Sequence, residues 1–316
     1  MSNIISKFIN KTKSQGLTAA LRHTFGKITG TNKYREEIDS LYYYLNHFVD
    51  ITKLPPAQGA LRKLQLCDAV LMSIFDAVCE KQGWKYWLDG GTLLGAKRHG
   101  GFLPWDDDQD VMMPRKDYEE ALKILPEIFA SFGEDSVSCY SMDARRFGIG
   151  YKHSQTGIWC DVFPCDSVFV DSDGDAAMKA LKKRAVKYYE YYQRKGRNLS
   201  MHELAVVREK SLNDADKGET ELILIHPEFD KLARIFKKDT FFPLTTIQYE
   251  GLTLKAPHDI HTYLTAIYGD YMLFPRNGLE HHDEGRGALS GWAARNNIDM
   301  DEVLAHLKEI DAFFRA

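Results

Sequence analysis

Residues 90–113, GGTLLGAKRHGGFLPWDDDQDVMM, bring together side chains that could hold a metal ion and a phosphate. Four aspartates, 106–108 and 110, lie within five positions and run directly into the apolar residues 111–113. Carboxylates this close repel one another, which raises their pKa values unless a cation offsets the charge. Oxygen ligands of this kind suit Mg²⁺ or Mn²⁺, ions that also contact substrate phosphates. The cluster therefore predicts a divalent-metal site.

The acidic residues are predicted to enter a strand at 107–113, in which successive side chains point to opposite faces. On that geometry Asp106, Asp108 and Asp110 share one face and Asp107 points away. Asp108 and Asp110, about 7 Å apart by Cα, are the predicted metal ligands. Asp106 is a further ligand or a supporting group, and Asp107 is structural.

A phosphate-binding segment precedes the acidic cluster. Gly90 and Gly91 let backbone N–H groups approach an anion, and Thr92 adds a hydroxyl at the start of a short predicted helix. Lys97 and Arg98 supply positive charge. A glycine pair alone is usually a turn and an acidic run alone is usually a solvated loop, but together they favour a metal–nucleotide site.

The whole chain has the composition of a folded protein without a dedicated nucleic-acid surface. Its 316 residues are 44% hydrophobic and 27% charged, with a net charge of −4. The five cysteines form no CxxC pair, which favours neither a disulfide framework nor a zinc site. With no apolar run long enough to span a membrane and no signal peptide, a cytoplasmic location is expected.

Residues 1–35 differ from the rest in charge: they contain seven Lys and Arg and no Asp or Glu. Their apolar residues fall at helical spacings, which is typical of a segment lying on an anionic membrane surface. The sequence fits a surface helix packed on its own domain equally well. The first interpretation places the protein peripherally at the inner face of the plasma membrane.

The predicted elements mix helices and strands without regular βαβ alternation, which favours an α+β fold. Beyond the two elements above, we expect a short strand meeting a glycine turn at 84–91, a hairpin at 147–166 and a strand pair at 246–255. Predicted helices cover 57–82, 117–132 (kinked or divided at Pro126), 228–238, 259–269 and 300–315. A basic, tyrosine-rich helical insertion is expected at about 172–215 within a catalytic domain of residues 36–316.

Three blocks in the same order resemble the LicD family of phosphocholine transferases, to which the fukutin-type phosphotransferases are related. They are WLDGGTLLGAKRHGGFLPWDDDQDVMM, IWCDVFPCD (158–166) and YLTAIYGDYMLFP (263–275). The resemblance implies a nucleotidyltransferase-like mixed sheet flanked by helices. It adds Asp161 as the carboxylate from a later strand, a third metal ligand and the candidate general base. Asp166 is expected to cap a turn after Pro164.

The resemblance also implies transfer of a phospho-headgroup from a CDP-linked donor to a hydroxyl of a cell-surface glycan or lipid-linked oligosaccharide, releasing CMP. Phosphocholine from CDP-choline is the first expectation, with ribitol, glycerol or ethanolamine phosphate as alternatives. Nucleotidyl transfer and a non-catalytic glycan- or membrane-binding role also remain open. A choline headgroup would need an aromatic cage, for which the sequence offers Trp84, Tyr86, Trp87, Trp105 and Trp159. His281 and His282 are alternative bases.

Overall fold

The computed structural model describes residues 31–133, 136–143, 146–152, 157–168, 221–226, 233–274 and 298–316, with isolated helical positions between 176 and 190. The chain divides into two compact units, Met1–Lys53 with Met272–Gly278, and Leu54–Tyr271 with Leu279–Ala316. In the first unit, helix α1 (Thr31–Phe48) is followed by a single 3-10 turn, Ile51–Lys53. Neither interpretation of the basic N-terminal segment is tested, because residues 1–30 lie outside the described residues.

The second unit holds the remaining helices and strands. Its helices are α2 (Gly59–Gln82), α3 (Gly90–His99), α4 (Arg115–Ala130), α5 (Ile260–Tyr268) and α6 (Met300–Arg315). Its strands are β1 (Trp87–Leu88), β2 (Asp110–Pro114), β3 (Val137–Asp143), β4 (Arg146–Tyr151), β5 (Trp159–Val168), β6 (Leu222–Ile225), β7 (Arg234–Lys237), β8 (Thr245–Tyr249) and β9 (Leu252–Ala256). A mixed sheet flanked by helices confirms the predicted α+β class.

One sheet carries the acidic residues. Its strand order is β1-β2-β5-β4-β3, with β6 pairing with the far part of β5 and β7 pairing with β6, while β8 and β9 form a separate hairpin. Strands β2 and β5 are parallel, and the other pairs are antiparallel. The parallel register sets Asp110 opposite Asp161. Two residues 51 positions apart in the chain therefore become neighbours at the start of β2.

Most predicted elements are confirmed within a few residues. The helix predicted at 57–82 is α2, and Gly83 ends it in a left-handed conformation. The predicted hairpin at 147–166 is β4 with β5, and the strand pair at 246–255 is β8 with β9. Helices α3, α5 and α6 also match their predictions.

The strand predicted at 107–113 begins later than expected, at Asp110, and includes Pro114. Its neighbour β1 is only two residues long, because the chain turns into α3 directly after Asp89. Positions 107–109 therefore have no β1 residue to pair with. The strand alternation that sorted the aspartates does not apply before Asp110.

Two other expectations are wrong, and one alternative of a third is excluded. Helix α4 is not divided at Pro126, because that residue lies on the exposed side, where water can bond the carbonyl that loses its N–H partner. Residues 234–237 of the predicted helix 228–238 form strand β7, whose pairing with β6 overrides an ambiguous apolar pattern. Gly90 and Gly91 form the first turn of α3 rather than a loop turn.

Two of the predicted features involve residues outside the described ones. The helical insertion at 172–215 falls almost entirely outside the described residues, and His281 and His282 fall wholly outside them. Among the described helices, none has the length and apolar character needed to cross a membrane.

Candidate active site

The glycine pair packs directly against two of the aspartates. Gly90 has a φ of +50°, and a Cβ added to it would lie 3.0 Å from Oδ2 of Asp110. A Cβ on Gly91 would lie 2.8 Å from Oδ2 of Asp106. Any side chain here would displace a carboxylate, so the glycines let the acidic residues approach the first turn of α3. The sequence predicted two separate features, and the structure joins them.

The acidic loop gathers more carboxylates than the sequence assigned. One carboxylate oxygen from each of Asp106, Asp107 and Asp108 lies within 4.8 Å of the others. Asp107 therefore joins the cluster, and the expectation that it points away is wrong. Asp110 and Asp161 lie side by side on the adjacent strands.

Burial and mutual repulsion make this cluster costly to ionise. Burial raises the pKa of Asp110 well above its usual value, and Asp108, Asp161, Asp89 and Asp106 raise it further. Burial likewise raises the pKa of Asp106, with Asp108 and Asp107 adding to the shift. A bound cation would reverse both effects, because it favours the charged carboxylates.

The donor set fits a hard divalent ion. The group formed by Asp106, Asp107 and Asp108 offers carboxylate oxygens, which suit Mg²⁺ or Mn²⁺ better than zinc. Thr92, which the sequence assigned to the phosphate, uses its buried hydroxyl to accept the Asp110 backbone N–H at 2.8 Å. Thr92 thus holds the start of β2 against α3.

Helix α2 holds the acidic loop, residues 106–109, through hydrogen bonds. Gln65 Nε2 donates to the Asp106 carbonyl at 2.9 Å, and Gln109 Nε2 donates to the Asp68 carbonyl at 2.7 Å. The buried Asp68 carboxylate accepts the Trp159 backbone N–H at 3.1 Å. Burial raises the pKa of Asp68 well above its usual value, and the charge of Asp108 adds to the shift. No local pattern singles out Asp68, which is one polar position within a long amphipathic helix.

The two basic residues predicted near the phosphate lie in the last turn of α3, away from Gly90. Lys97 is exposed there. Arg98 is buried and donates to the Tyr271 carbonyl. That Lys97 and Arg98 bind the phosphates of the substrate stays a prediction.

The two aspartates of residues 158–166, Asp161 and Asp166, lie in different environments. Asp161 is 5% exposed, and Arg146 Nε lies 3.4 Å from its Oδ2. Asp166 instead binds Arg115 through two hydrogen bonds of 2.9 and 3.1 Å. Because β5 continues through Pro164 to Val168, the expectation that Asp166 caps a turn is wrong. Arg146, which the sequence did not single out, is a cation at the site.

Comparison with known proteins identifies the region that carries this geometry. Residues 83–206 match the family model described as LicD/FKTN/FKRP, nucleotidyltransferase domain. Residues 83–206 form a LicD-family domain. The glycine pair and the predicted metal ligands Asp106, Asp108, Asp110 and Asp161 lie inside it.

Curated proteins to which the chain is similar include transferases from bacteria and mammals. Lipopolysaccharide cholinephosphotransferase LicD of Haemophilus influenzae is 26% identical over 246 residues, which are 68% of this chain and 92% of that protein. An uncharacterized protein of Rickettsia typhi is 32% identical over 124 residues, covering 37% of this chain and 34% of that protein. Ribitol 5-phosphate transferase FKRP of Homo sapiens is 59% identical over 34 residues, 11% of this chain and 7% of that protein.

A buried polar cluster lies directly behind the glycine turn of the LicD-family domain. Asp89, 1% exposed, has His226 Nε2 2.9 Å from its Oδ2 and accepts a hydrogen bond from the Tyr263 hydroxyl. Burial alone would raise the pKa of Asp89, but the charge and hydrogen bond of His226 and the Tyr263 hydroxyl hold it below its usual value. No local pattern links residues this far apart in the chain, so the sequence could not reveal the pairing.

Replacing His226 with alanine should lower the free energy of unfolding by about 3 kcal/mol, because it leaves the buried Asp89 carboxylate without its imidazole. Because the pKa of Asp89 is lowered on folding, its contribution is present above the ordinary carboxyl pKa of about 3.9 and is lost as the pH falls through the folded value. Urea unfolding at neutral pH and near pH 3 should therefore give a smaller difference at the acidic pH. His258→Ala, at an exposed histidine, is the control. Equal losses for the two variants would contradict the role of the pair.

Tyr268 is an exposed aromatic residue whose phenol is influenced by the charges of the acidic residues. The residue is 43% exposed, and partial burial together with the charges of Asp89, Asp110 and Asp106 raises the pKa of its phenol. Trp84, Tyr86 and Trp87, three of the predicted cage residues, are buried in the core. Trp105 and Trp159 are half-buried. Tyr268, Trp105 and Trp159 therefore have more exposed aromatic surface than the three buried residues.

Proposed function

We propose that this protein transfers a phosphorylated alcohol from a CDP-linked donor to a hydroxyl of a glycan or lipid-linked oligosaccharide and releases CMP. The observation that carries the proposal is the packing of Asp106 and Asp110 against the glycine turn of a LicD-family domain, with Asp161 alongside. Two relatives are named for cholinephosphotransferase and ribitol 5-phosphate transferase activity, which supports this class of reaction. Phosphocholine from CDP-choline is the first choice of donor group, because the LicD relative matches over most of both chains.

Asp106, Asp108, Asp110 and Asp161 would hold Mg²⁺ or Mn²⁺. When bound, the ion would neutralise charge on the donor diphosphate and on the departing CMP. The N–H groups of the first turn of α3 and the positive end of that helix would face the donor phosphates. Gly90 and Gly91 keep this turn open to the carboxylates.

The reaction proposed is an in-line displacement at the phosphorus that carries the alcohol. Asp161 accepts the proton of the acceptor hydroxyl. At the same time the oxygen of that hydroxyl forms a bond to the phosphorus. The bond from this phosphorus to the bridging oxygen breaks, and CMP leaves with the bonding electrons. The Arg146 guanidinium, whose Nε lies 3.4 Å from Oδ2 of Asp161, would orient this carboxylate.

A donor panel tests the proposal. The full chain is incubated with Mg²⁺ and CDP-choline, CDP-ethanolamine, CDP-glycerol or CDP-ribitol, and CMP release is measured with and without a glycan acceptor extract. We expect acceptor-stimulated CMP release, fastest with CDP-choline. A faster reaction with another CDP-alcohol would keep the reaction and change the donor group. Pyrophosphate release from a nucleoside triphosphate, with no CMP from any donor, would support nucleotidyl transfer instead.

Tyr268→Ala tests whether this aromatic residue contacts the headgroup. If its ring packs on the quaternary ammonium of choline, the KM for CDP-choline should rise about tenfold, while the KM for CDP-glycerol, which lacks the cation, should change little. Tyr268→Phe is the control, because it keeps the ring and removes the hydroxyl. Equal changes in KM for both donors would contradict this contact.

A further inference from the structure

The tip of the β8–β9 hairpin carries a residue that is unusual for its conformation. Glu250 and Gly251 form a two-residue turn, and both have positive φ values, +50° and +83°. Turns of this kind favour asparagine, aspartate or glycine at the first position, because other side chains are strained there. A glutamate held in this conformation indicates that contacts of its side chain outside the hairpin offset the strain.

The contacts of Glu250 hold the segment that joins α3 to the acidic loop, residues 100–105. The Glu250 backbone N–H donates to the Gly100 carbonyl at 2.8 Å, and the Phe102 backbone N–H donates to Glu250 Oε1 at 3.0 Å. A Cβ added to Gly101 would overlap the same Oε1. The hairpin tip therefore packs closely on three successive residues just before the aspartates.

Helix α2 connects the hairpin tip to the acidic loop itself. Arg62 donates to both oxygens of the Glu250 carboxylate, at 2.9 and 2.7 Å, and its Nη1 lies 3.3 Å from Gln65 Oε1. Gln65 Nε2 donates to the Leu103 carbonyl at 3.2 Å and to the Asp106 carbonyl at 2.9 Å. The side chains of Arg62 and Glu250 are 27% and 11% exposed, and Gln65 is buried, so water competes little for these bonds. A continuous chain of hydrogen bonds thus joins Glu250 to Asp106.

We propose that Glu250 is a positioning residue, which acts through Arg62 and Gln65 to hold the carboxylates of the acidic loop where they can bind a divalent ion. This role rests on the metal site of the proposed function, and Glu250 itself is not a ligand. The carboxylates of Asp106 and its neighbours repel one another, so a loop without this support would let them move apart. Removing hydrogen bonds that orient metal ligands typically lowers metal affinity about 10- to 100-fold.

Mn²⁺ binding to the full chain, measured from the EPR signal of the free ion, tests the proposal. Glu250→Ala should weaken Mn²⁺ binding about tenfold or more, because the Phe102 N–H loses its acceptor and Arg62 loses its partner. Glu250→Gln should bind within about threefold of the parent, because the amide oxygen still accepts from these donors. Gln65→Leu, which removes the bond to the Asp106 carbonyl and keeps the hairpin contacts, should weaken binding as Glu250→Ala does.

Asp166→Ala is the matched control. It removes a carboxylate of similar burial that binds Arg115 through two hydrogen bonds, at the opposite end of β2 from Asp110. In urea unfolding, Asp166→Ala and Glu250→Ala should lose similar stability, because each leaves a partly buried arginine without its carboxylate. Only Glu250→Ala should weaken Mn²⁺ binding.

Three results would overturn the positioning role. They are Mn²⁺ binding by Glu250→Ala and Gln65→Leu within about twofold of the parent, equal weakening by Glu250→Ala and Asp166→Ala, and equal weakening by Glu250→Ala and Glu250→Gln. The second result would assign the effect to lost stability, and the third to lost charge. A parent that binds Mn²⁺ and shows the expected pattern but releases no CMP from any donor would contradict the proposed function alone. A parent that binds no Mn²⁺ would contradict both proposals.

Discussion

Replacing Asp110 with asparagine should lower CMP release about 1,000-fold and leave the fold intact, because the amide keeps the shape of the side chain and loses its charge. Asp110 lies where the glycine turn, the acidic loop and Asp161 meet. The measurement is kcat/KM with Mg²⁺ and CDP-choline. The exposed Asp301→Asn, which disturbs only a surface contact with Lys63, is the matched control.

The same substitution, Asp110→Asn, should make the metal-free protein more stable at neutral pH. Because folding raises the pKa of Asp110, its ionised form penalises the folded state, and this penalty is absent below about pH 3.9 and grows as the pH rises towards the folded value. An asparagine cannot ionise and avoids the penalty. In thermal unfolding with EDTA at pH 7, Asp110→Asn should melt above the parent, and Mg²⁺ should raise the Tm of the parent much more than that of the variant. Near-parental CMP release by Asp110→Asn would contradict its role in the site.

Replacing Gly90 with alanine should lower CMP release about 100-fold, because the new Cβ would lie 3.0 Å from Oδ2 of Asp110 and displace that carboxylate. The free energy of unfolding of the variant should also fall by about 1–2 kcal/mol, because an alanine at positive φ strains the backbone. Both losses are measured on one preparation, by CMP release and by urea unfolding.

Gly100→Ala separates these two causes. Gly100 has a φ of +65° at the other end of the same helix, and a Cβ there would meet no atom within 4 Å. Its stability should fall by a similar amount while CMP release stays near the parental rate. Equal activity losses in the two variants would mean that backbone strain, rather than contact with Asp110, explains the effect of Gly90→Ala.

The sequence predicted the ingredients of the site better than their arrangement. Gly90 and Asp110 were recognised because glycine pairs and clustered carboxylates have few structural uses in combination. That Asp161 lies beside Asp110 follows from the parallel register of β2 and β5, which no spacing in the chain encodes. The resemblance to a family supplied that residue, and the sheet supplies its position.

The errors have identifiable physical causes. Strand alternation places Asp107 on the wrong side, because residues 107–109 form a loop and the strand begins only at Asp110. That loop is held by side-chain hydrogen bonds from α2, such as the bond from Gln65 to the Asp106 carbonyl, instead of by a neighbouring strand. His226 and Asp68 could not be recognised, because each contributes through tertiary contacts that leave no local pattern.

The most direct test of the central claim is ³¹P NMR of a reaction containing the full chain, Mg²⁺, CDP-choline and a glycan acceptor. We predict that the diphosphate resonances of the donor disappear while a CMP phosphomonoester and a new phosphodiester on the acceptor appear in equal amounts. Unchanged donor resonances for every CDP-alcohol, under conditions where the protein is folded and binds Mg²⁺, would contradict the proposed transferase.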